Sequence, residues 1–294
     1  MKLYGSLFVA IAAISYGFPA SLMKLASLQG AQIGGLLFFV FFFAIIFLQI
    51  LSFISSRKQK QQPLTLCKHI VVIGSGTSIA LTNTCYFLAL THVPVAIAAV
   101  MLMQSVWIAI VLECLLNKRL PSLLQVVIVL LILLGTSLAT NLWLVSSQVS
   151  VIGLFLGFLA AFCYALTIQF TNKLAPDISP IRKASMMSIG AFIVITLIWW
   201  RYIPVGSLWV EIRWGALISI FAMVLPLACL SYGMPRTPPG RGEIISSLEL
   251  PAAIGIAWLL LSESITAAQL VGVIIIIASV MLSCIHNKHR QGRV

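Results

Sequence analysis

Charge is what this chain lacks. Only 8% of its 294 residues are Asp, Glu, Lys or Arg, whereas a soluble domain of average usage carries about 25%. A soluble core of this size would need a polar cover that the sequence does not hold. Disorder is excluded as well, because a disordered chain pairs high charge with low hydrophobicity, and 61% of this one is hydrophobic. Acids are the scarcest group, six against 18 bases, and Asp177 is the single aspartate. It sits between Pro176 and Pro180, where a turn role is sufficient. The four histidines (His69, His92, His286 and His289) lie at the ends of apolar runs or in loops, with no H-E-x-x-H pattern. An enzyme would need a nucleophile with its base, or a metal cluster, and the sequence shows neither pattern. No cofactor and no metal is implied.

The six cysteines are dispersed (Cys67, Cys85, Cys114, Cys163, Cys229, Cys284) without a C-x-x-C pair. They read as small buried packing residues, and neither a disulfide framework nor zinc follows. Gly74 to Ser78 (GSGTS) lacks the lysine and the spacing of a phosphate-binding loop. Close helix packing is the better reading, and ATP binding there is rejected.

What the chain has in abundance is long apolar runs. A bilayer-spanning helix needs about 20 predominantly apolar residues. Such runs fall at roughly 3–26, 31–54, 69–91, 94–116, 122–143, 150–172, 183–203, 213–234, 240–262 and 267–286. The expected fold class is therefore an all-α integral membrane protein of about ten transmembrane helices. The longest polar break, Ser55 to Pro63, is a loop. The first run exceeds a signal-peptide core and is kept as a membrane helix.

The bases then act as a topology code, since cytoplasmic loops are enriched in Lys and Arg. With an internal N-terminus and ten alternating spans, 15 of the 18 bases fall on the inner side. Only Lys24, Arg201 and Arg213 fall outside. Both termini are expected in the cytoplasm, and the membrane is the cell inner (plasma) membrane. Bases scattered in this way form no clustered basic face, so nucleic acid is not an expected partner.

Weak self-similarity divides the chain. An offset of 144 lays Pro94 on Pro238 and Gln125 on Gln269, with Tyr86–Pro94 (YFLALTHVP) over Leu230–Pro238 (LSYGMPRTP). Near the start an offset of 148 lays Gly5 on Gly153 and Tyr16 on Tyr164. Five helices per half is an odd number, so repeats at 1–147 and 148–294 must insert with opposite orientation. Inverted repeats of this kind bind substrate near the membrane midplane, at their interface.

The stretch Ile245–Gly272 (ISSLELPAAIGIAWLLLSESITAAQLVG) resembles the drug/metabolite transporter superfamily in its EamA-type ten-helix branch. It carries a run of small residues, a Leu-Glu-x-Pro turn, an apolar stretch, a Glu and a Gln-Leu-x-Gly. Ala89-Leu90-Thr91 and Leu123-Leu124-Gln125 echo it in the first half. Two places depart from the family pattern. Basic Lys118 and Arg119 stand where a Glu usually precedes helix five, and Gln104-Ser105-Val106-Trp107 replaces a Leu-x-Pro. The resemblance implies a secondary carrier, often an exporter of amino acids, other metabolites or drugs, working without ATP.

Glu249 is the sharpest candidate for the transport chemistry, since it lies near the middle of its apolar run. Ionisable groups are expensive there and need a reason. On a helix it shares a stripe with Ser246, Ala253 and Ile256, and Pro251 deletes a backbone donor two residues on. Desolvation penalises the charged form of a carboxyl. Glu249 could therefore exchange a proton, pair with a substrate amine, or serve only as a protonated packing lock. The wider candidate substrate-binding set is Tyr16, Asn83, Tyr86, Gln104, Trp107, Tyr164, Tyr232 and Ser246, because polar groups at membrane depth turn toward a cavity or another helix. Arg241 and Glu243 are read as interfacial residues or a gate ion pair, Glu113 as interfacial, and Glu263 as a helix-end or gate residue. Pro19 and Pro226 mark mid-span bends.

The expected partners are a small-molecule substrate and the lipid bilayer, with protons as a candidate coupling ion; oligomeric state is not written in the residues. A channel remains an alternative, as does a nucleotide-sugar or phosphorylated-metabolite carrier, for which Lys24 could hold the anion.

Overall fold

A computed structural model describes residues 2–58, 65–142, 150–202 and 207–291. Most of the 55–63 loop, Lys60, Arg293 and the proposed junction at 147/148 lie outside those residues. Among the described residues, nine helices are long and apolar enough to cross a membrane. They run Tyr4–Leu28, Ile33–Ser55, Leu66–Leu90, Ile97–Leu116, Val151–Lys173, Pro180–Trp199, Leu208–Arg236, Arg241–Leu261 and Ala267–Cys284. A shorter apolar helix, Leu123–Ala139, takes the fifth place. At 17 residues it reaches about 26 Å at 1.5 Å per residue. Numbered in chain order, these are spans 1 to 10, each starting and ending within a few residues of the apolar run that announced it.

Packing between spans follows an internal two-fold. Span 3 packs on span 6, and its counterpart span 8 packs on span 1. Span 4 packs on span 6 as span 9 packs on span 1, and span 3 meets span 7 as span 8 meets span 2. Spans 2 and 7, and spans 5 and 10, pack as self-paired counterparts. Local details repeat too. Ser122 and Gln125 close span 5 with a reciprocal capping box. At span 10 the Thr266 N–H donates to Gln269 Oε1 at 2.9 Å and the Gln269 N–H to Thr266 Oγ1 at 3.2 Å. Such boxes satisfy two of the amide groups that every helix start leaves open. Lys118 and Ser262 end spans 4 and 9, both left-handed, at φ 49° and 52°.

Several spans are broken at mid-length. The helix is interrupted at Gly17 in span 1, Gly76 in span 3, Gln104 in span 4, and Ser247–Leu248 in span 9, and span 8 contains a π-helical turn at Ile220–Val224. Proline explains three of these. Pro19, Pro226 and Pro251 each lack the N–H that would close the preceding turn, and each ring crowds the carbonyl four residues back. The bends expected at Pro19 and Pro226 are thus present. In the π-helical turn the carbonyl five residues before Pro226, Phe221 O, instead takes the Ser15 hydroxyl of span 1 at 2.9 Å. Span 6 has neither proline nor a break.

Small residues set the closest approaches, as expected for helices that gain nothing from water exclusion. A Cβ on Gly76 of span 3 would overlap the Met187 carbonyl of span 7, and one on Gly190 of span 7 would overlap the Ile73 carbonyl. The packing role read from GSGTS is what the structure holds. Polar clips add to this between the same layers. Ser78 and Thr167 join spans 3 and 6 at 2.7 Å. Gln49 and Ser185 exchange two bonds between spans 2 and 7.

Two of the bases assigned to a side of the membrane lie inside their helices. Lys183, on a helix that begins at Pro180, has a buried ammonium that donates to Thr171 O at 3.2 Å at the C-terminal end of span 6. Arg213 lies within span 8, which starts at Leu208, and donates to Gln29 Oε1 at 2.6 Å. The bases that end spans 4, 6 and 8 and begin spans 3, 7 and 9 gather at one end of the bundle, hereafter the basic end. There Lys68 meets Asp177 at 3.4 Å, and Lys173 donates to Asn117 Oδ1 at 2.7 Å.

Gly190→Val is expected to force spans 3 and 7 apart. An overpacked interface of this kind costs about 1–3 kcal/mol, which a fall in thermal unfolding temperature in detergent will show; Gly74→Ala, where a Cβ meets nothing, leaves it unchanged.

Candidate functional site

The broken spans bring a carboxyl and three phenols together. Glu249 begins the second half-helix of span 9, Glu249–Leu261, immediately after the break at Ser247–Leu248. The break follows from Pro251, since the Ser247 carbonyl is the one its missing N–H would have paired. That carbonyl instead takes the Leu250 N–H at 3.3 Å. The stripe Ser246–Glu249–Ala253 read from a continuous helix is therefore interrupted, and Glu249 is turned to span 6. Tyr164 of span 6 donates its hydroxyl to Glu249 Oε2 at 3.1 Å.

Tyr16, just before the break in span 1, meets the Tyr164 ring edge-on with centroids 5.9 Å apart. Tyr16 and Tyr86 of span 3 both lie within electrostatic reach of the Glu249 carboxyl. Spans 1, 3, 6 and 9 thus converge on one acid. Glu249 is partly accessible although it lies inside the bundle, and it forms no ion pair among the described residues. The clearest surface depressions lie elsewhere. One of about 250 Å³ is lined by Cys67, Lys68 and Leu174, and one of about 280 Å³ by Phe47, Leu51 and Val224. Neither includes a residue of the tyrosine–glutamate cluster.

The other sequence candidates are engaged locally. Asn83 Nδ2 donates to Ile79 O at 2.9 Å, one turn back in its own helix. Gln104, at the break in span 4, donates to Val100 O at 3.1 Å and accepts from Trp107 Nε1 at 2.8 Å. Ser246 Oγ donates to Gly242 O at 3.0 Å and is buried. Tyr232 lies toward the basic end, where its ring packs on Phe8 and carries the Arg236 guanidinium 4.0 Å above its centre.

The acids outside the cluster differ from expectation in several ways. Glu243 and Glu113 are both buried, at 1% exposure, where an interfacial position was expected. Among the described residues Glu243 does not pair with Arg241. It accepts from Gln169 Nε2 of span 6 at 3.3 Å, while Glu113 meets Arg119 at 3.3 Å. Glu263 stands at the end opposite the basic one and pairs with Lys24 at 2.6 Å, both about half exposed. Sequence reasoning passed over Glu211. It is fully buried at the start of span 8 and accepts the Gln32 N–H at 3.1 Å, capping span 2 from outside. Its place ahead of an apolar run, in an acid-poor chain, was the available signal. Among the described residues no group of His, Cys, Asp and Glu could hold a metal ion.

Comparison with known proteins agrees with this architecture. The sequence model of the EamA-like transporter family matches residues 3–141 and 151–285. The chain belongs to that family, within the drug/metabolite transporter superfamily, and is a multi-pass membrane transporter. No curated protein matches it. A solved crystal structure, described only as that of a protein, superimposes with a TM-score of 0.74 over 99% of both chains at 14% identity. That likeness concerns the fold alone.

Tyr164→Phe keeps the ring and deletes the donor to Glu249. It is expected to cost about 1–3 kcal/mol if the carboxyl oxygen stays buried, read as a lower unfolding temperature. Asn83→Ala, which removes a bond within one helix, is expected to cost less than Tyr164→Phe in the same assay.

Proposed function

We propose that this protein is a secondary carrier of the cell inner (plasma) membrane that exports small metabolites, such as amino acids or related amines, or drugs. Both termini face the cytoplasm, following the bases at the basic end. The halves 1–147 and 148–294 rock against each other about the mid-depth breaks, exposing the site to each side in turn.

The observation that carries this reading is Glu249 with its three tyrosines, an interior acid that forms no ion pair among the described residues. A carboxyl ringed by phenols suits an ammonium group, which gains a counter-charge, hydroxyl acceptors and aromatic faces together. When the site is empty of amine, a proton is the natural neutral partner. Exchange between the two couples substrate movement to proton movement in the opposite direction. A substrate of this class needs no enzyme chemistry and no cofactor, and none is assigned. The phosphorylated-metabolite alternative would have to draw Lys24 away from Glu263, with which it pairs at 2.6 Å.

The test begins with a panel of amino acids, amines, drugs and nucleotide sugars in thermal-shift assays on purified protein, followed by flux in proteoliposomes at two pH values. Stabilisation by amine-bearing compounds and pH-dependent flux are expected; stabilisation by nucleotide sugars alone overturns the substrate class. Glu249→Gln keeps the shape and removes the charge. Loss of a charged hydrogen bond costs about 1.5–3 kcal/mol, so transport of an amine is expected to fall roughly tenfold to hundredfold and to lose its pH dependence. Unchanged proton-coupled flux in this variant removes Glu249 from the coupling role.

A further inference from the structure

The basic end of the bundle contains a second carboxyl arrangement that the chemistry at Glu249 does not use. Glu113, near the end of span 4, and Glu243, in the first half-helix of span 9, are both 1% exposed. Their half-helices pack directly on each other, which sets the two carboxyls side by side. Glu113 Oε1 faces the Arg119 guanidinium at 3.3 Å and the Asn117 amide at 3.5 Å. Glu113 Oε2 is buried with no donor. On the other side, Gln169 of span 6 is clamped by its amide nitrogen to Ala109 O at 2.8 Å and to Glu243 Oε1 at 3.3 Å. Its own oxygen is also buried without a donor.

The charges around the pair can be counted. Arg119 touches it directly. Lys173 of span 6 acts through Asn117, and the Cys114 thiol lies beside both acids. Arg241 shares a half-helix with Glu243 and does not pair with it among the described residues. The Gly240 backbone N–H also faces Glu113, but among the described residues Arg119 is the one cation that touches the pair and Lys173 stands a side chain away. With both acids ionised, one buried negative charge has no direct counter-ion, which is the costly case. A single proton between the carboxyls removes the excess charge. The remaining negative charge is matched by Arg119.

We propose that Glu113 and Glu243 share one proton, and that this proton latches the basic end of the bundle shut. The latch is a proton-binding site separate from Glu249. It joins span 4 of the first half to span 9 of the second, the two spans that carry breaks at equivalent positions. When the proton leaves, two like charges face each other at contact distance and drive the spans apart. This rests on the carrier reading in one respect, that the two halves must separate at this end, and it is independent of any role for Glu249.

Hydrogen–deuterium exchange on the full-length protein in lipid nanodiscs, without substrate, tests the latch between pH 6 and 9. After correction for intrinsic exchange, peptides covering 109–119 and 241–248 are followed. In the wild type, protection is expected to hold at the acid end and then to fall by up to about tenfold per pH unit, the slope of a one-proton equilibrium. In Glu243→Gln an amide donor replaces the proton permanently, so protection is expected to stay flat with pH. Glu113→Gln gives the same flat profile and serves if the first variant does not fold. Glu249→Gln is expected to keep the wild-type slope.

A wild-type profile without pH dependence overturns the latch, as does a wild-type slope in both glutamine variants. A slope lost in Glu249→Gln but kept in Glu243→Gln assigns the proton to Glu249, which overturns the latch and leaves the carrier reading standing. Protection that follows sodium at fixed pH replaces the proton by a metal cation and also overturns it. Conversely, undiminished amine transport by Glu249→Gln would sink the proposed coupling role without touching these profiles.

Discussion

Inside hydrocarbon no water is present to take up a backbone group that a helix has released, so every break in a span must be answered from within the protein. That constraint organises this bundle. Pro19, Pro226 and Pro251 each remove one donor at mid-depth, and the replies come from close at hand. In the π-helical turn before Pro226 the Phe221 carbonyl takes the Ser15 hydroxyl of span 1, and at Pro251 the Leu250 amide reaches back to Ser247 O. The breaks need nearby polar groups, and polar groups need one another. Glu249 stands at one such break and Tyr16 at another, with the Tyr164 hydroxyl joining the first to span 6. The site grows where the backbone is least self-sufficient.

The two ends of the bundle are closed by different electrostatics, although the backbone there repeats. Lys118 and Ser262 occupy equivalent left-handed positions, and the residues after them are Arg119 and Glu263. Each reaches an opposite charge, but in opposite surroundings. Glu263 meets Lys24 in a pair that is about half exposed, where water screens most of the attraction. Arg119 meets an acid at 2% side-chain exposure, in contact with a second buried acid. The exposed pair contributes little and separates readily. The buried one depends on its complete set of partners.

Much of the fold was legible because each helix here is solvated largely by lipid and must be apolar along most of its length. The ten runs were visible for that reason. Gln125 and Gln269 could be aligned because each performs the same local task, closing a helix start two to four residues away. Side chains that answer to their own helix, such as Asn83 or Gln104 with Trp107, were visible as polar but not as locally satisfied, since the partner lies one turn back and leaves no mark in composition. The burial of Glu113, Glu211 and Lys183 was not legible at all. Their partners, Glu243, Gln32 and Thr171, belong to other spans, and proximity to a helix end reads in sequence as proximity to water. The tyrosine–glutamate cluster stood between these cases: Glu249 was conspicuous as an interior acid, whereas the choice of Tyr16, Tyr86 and Tyr164 over Tyr232 depended on which spans converge.

Tyr16 and Tyr164 align in the two halves, yet they ride on unlike supports. Span 6 is a continuous rod of 23 residues, and span 1 is jointed at Gly17, one residue beyond Tyr16. Tyr164, with its bond to Glu249, is thus carried by an unbroken helix, and Tyr16, whose ring meets it, by a broken one. The protein is therefore symmetric in its plan and lopsided in its mechanics. Glu249 is thereby held from a straight helix on one side and approached by a broken one on the other.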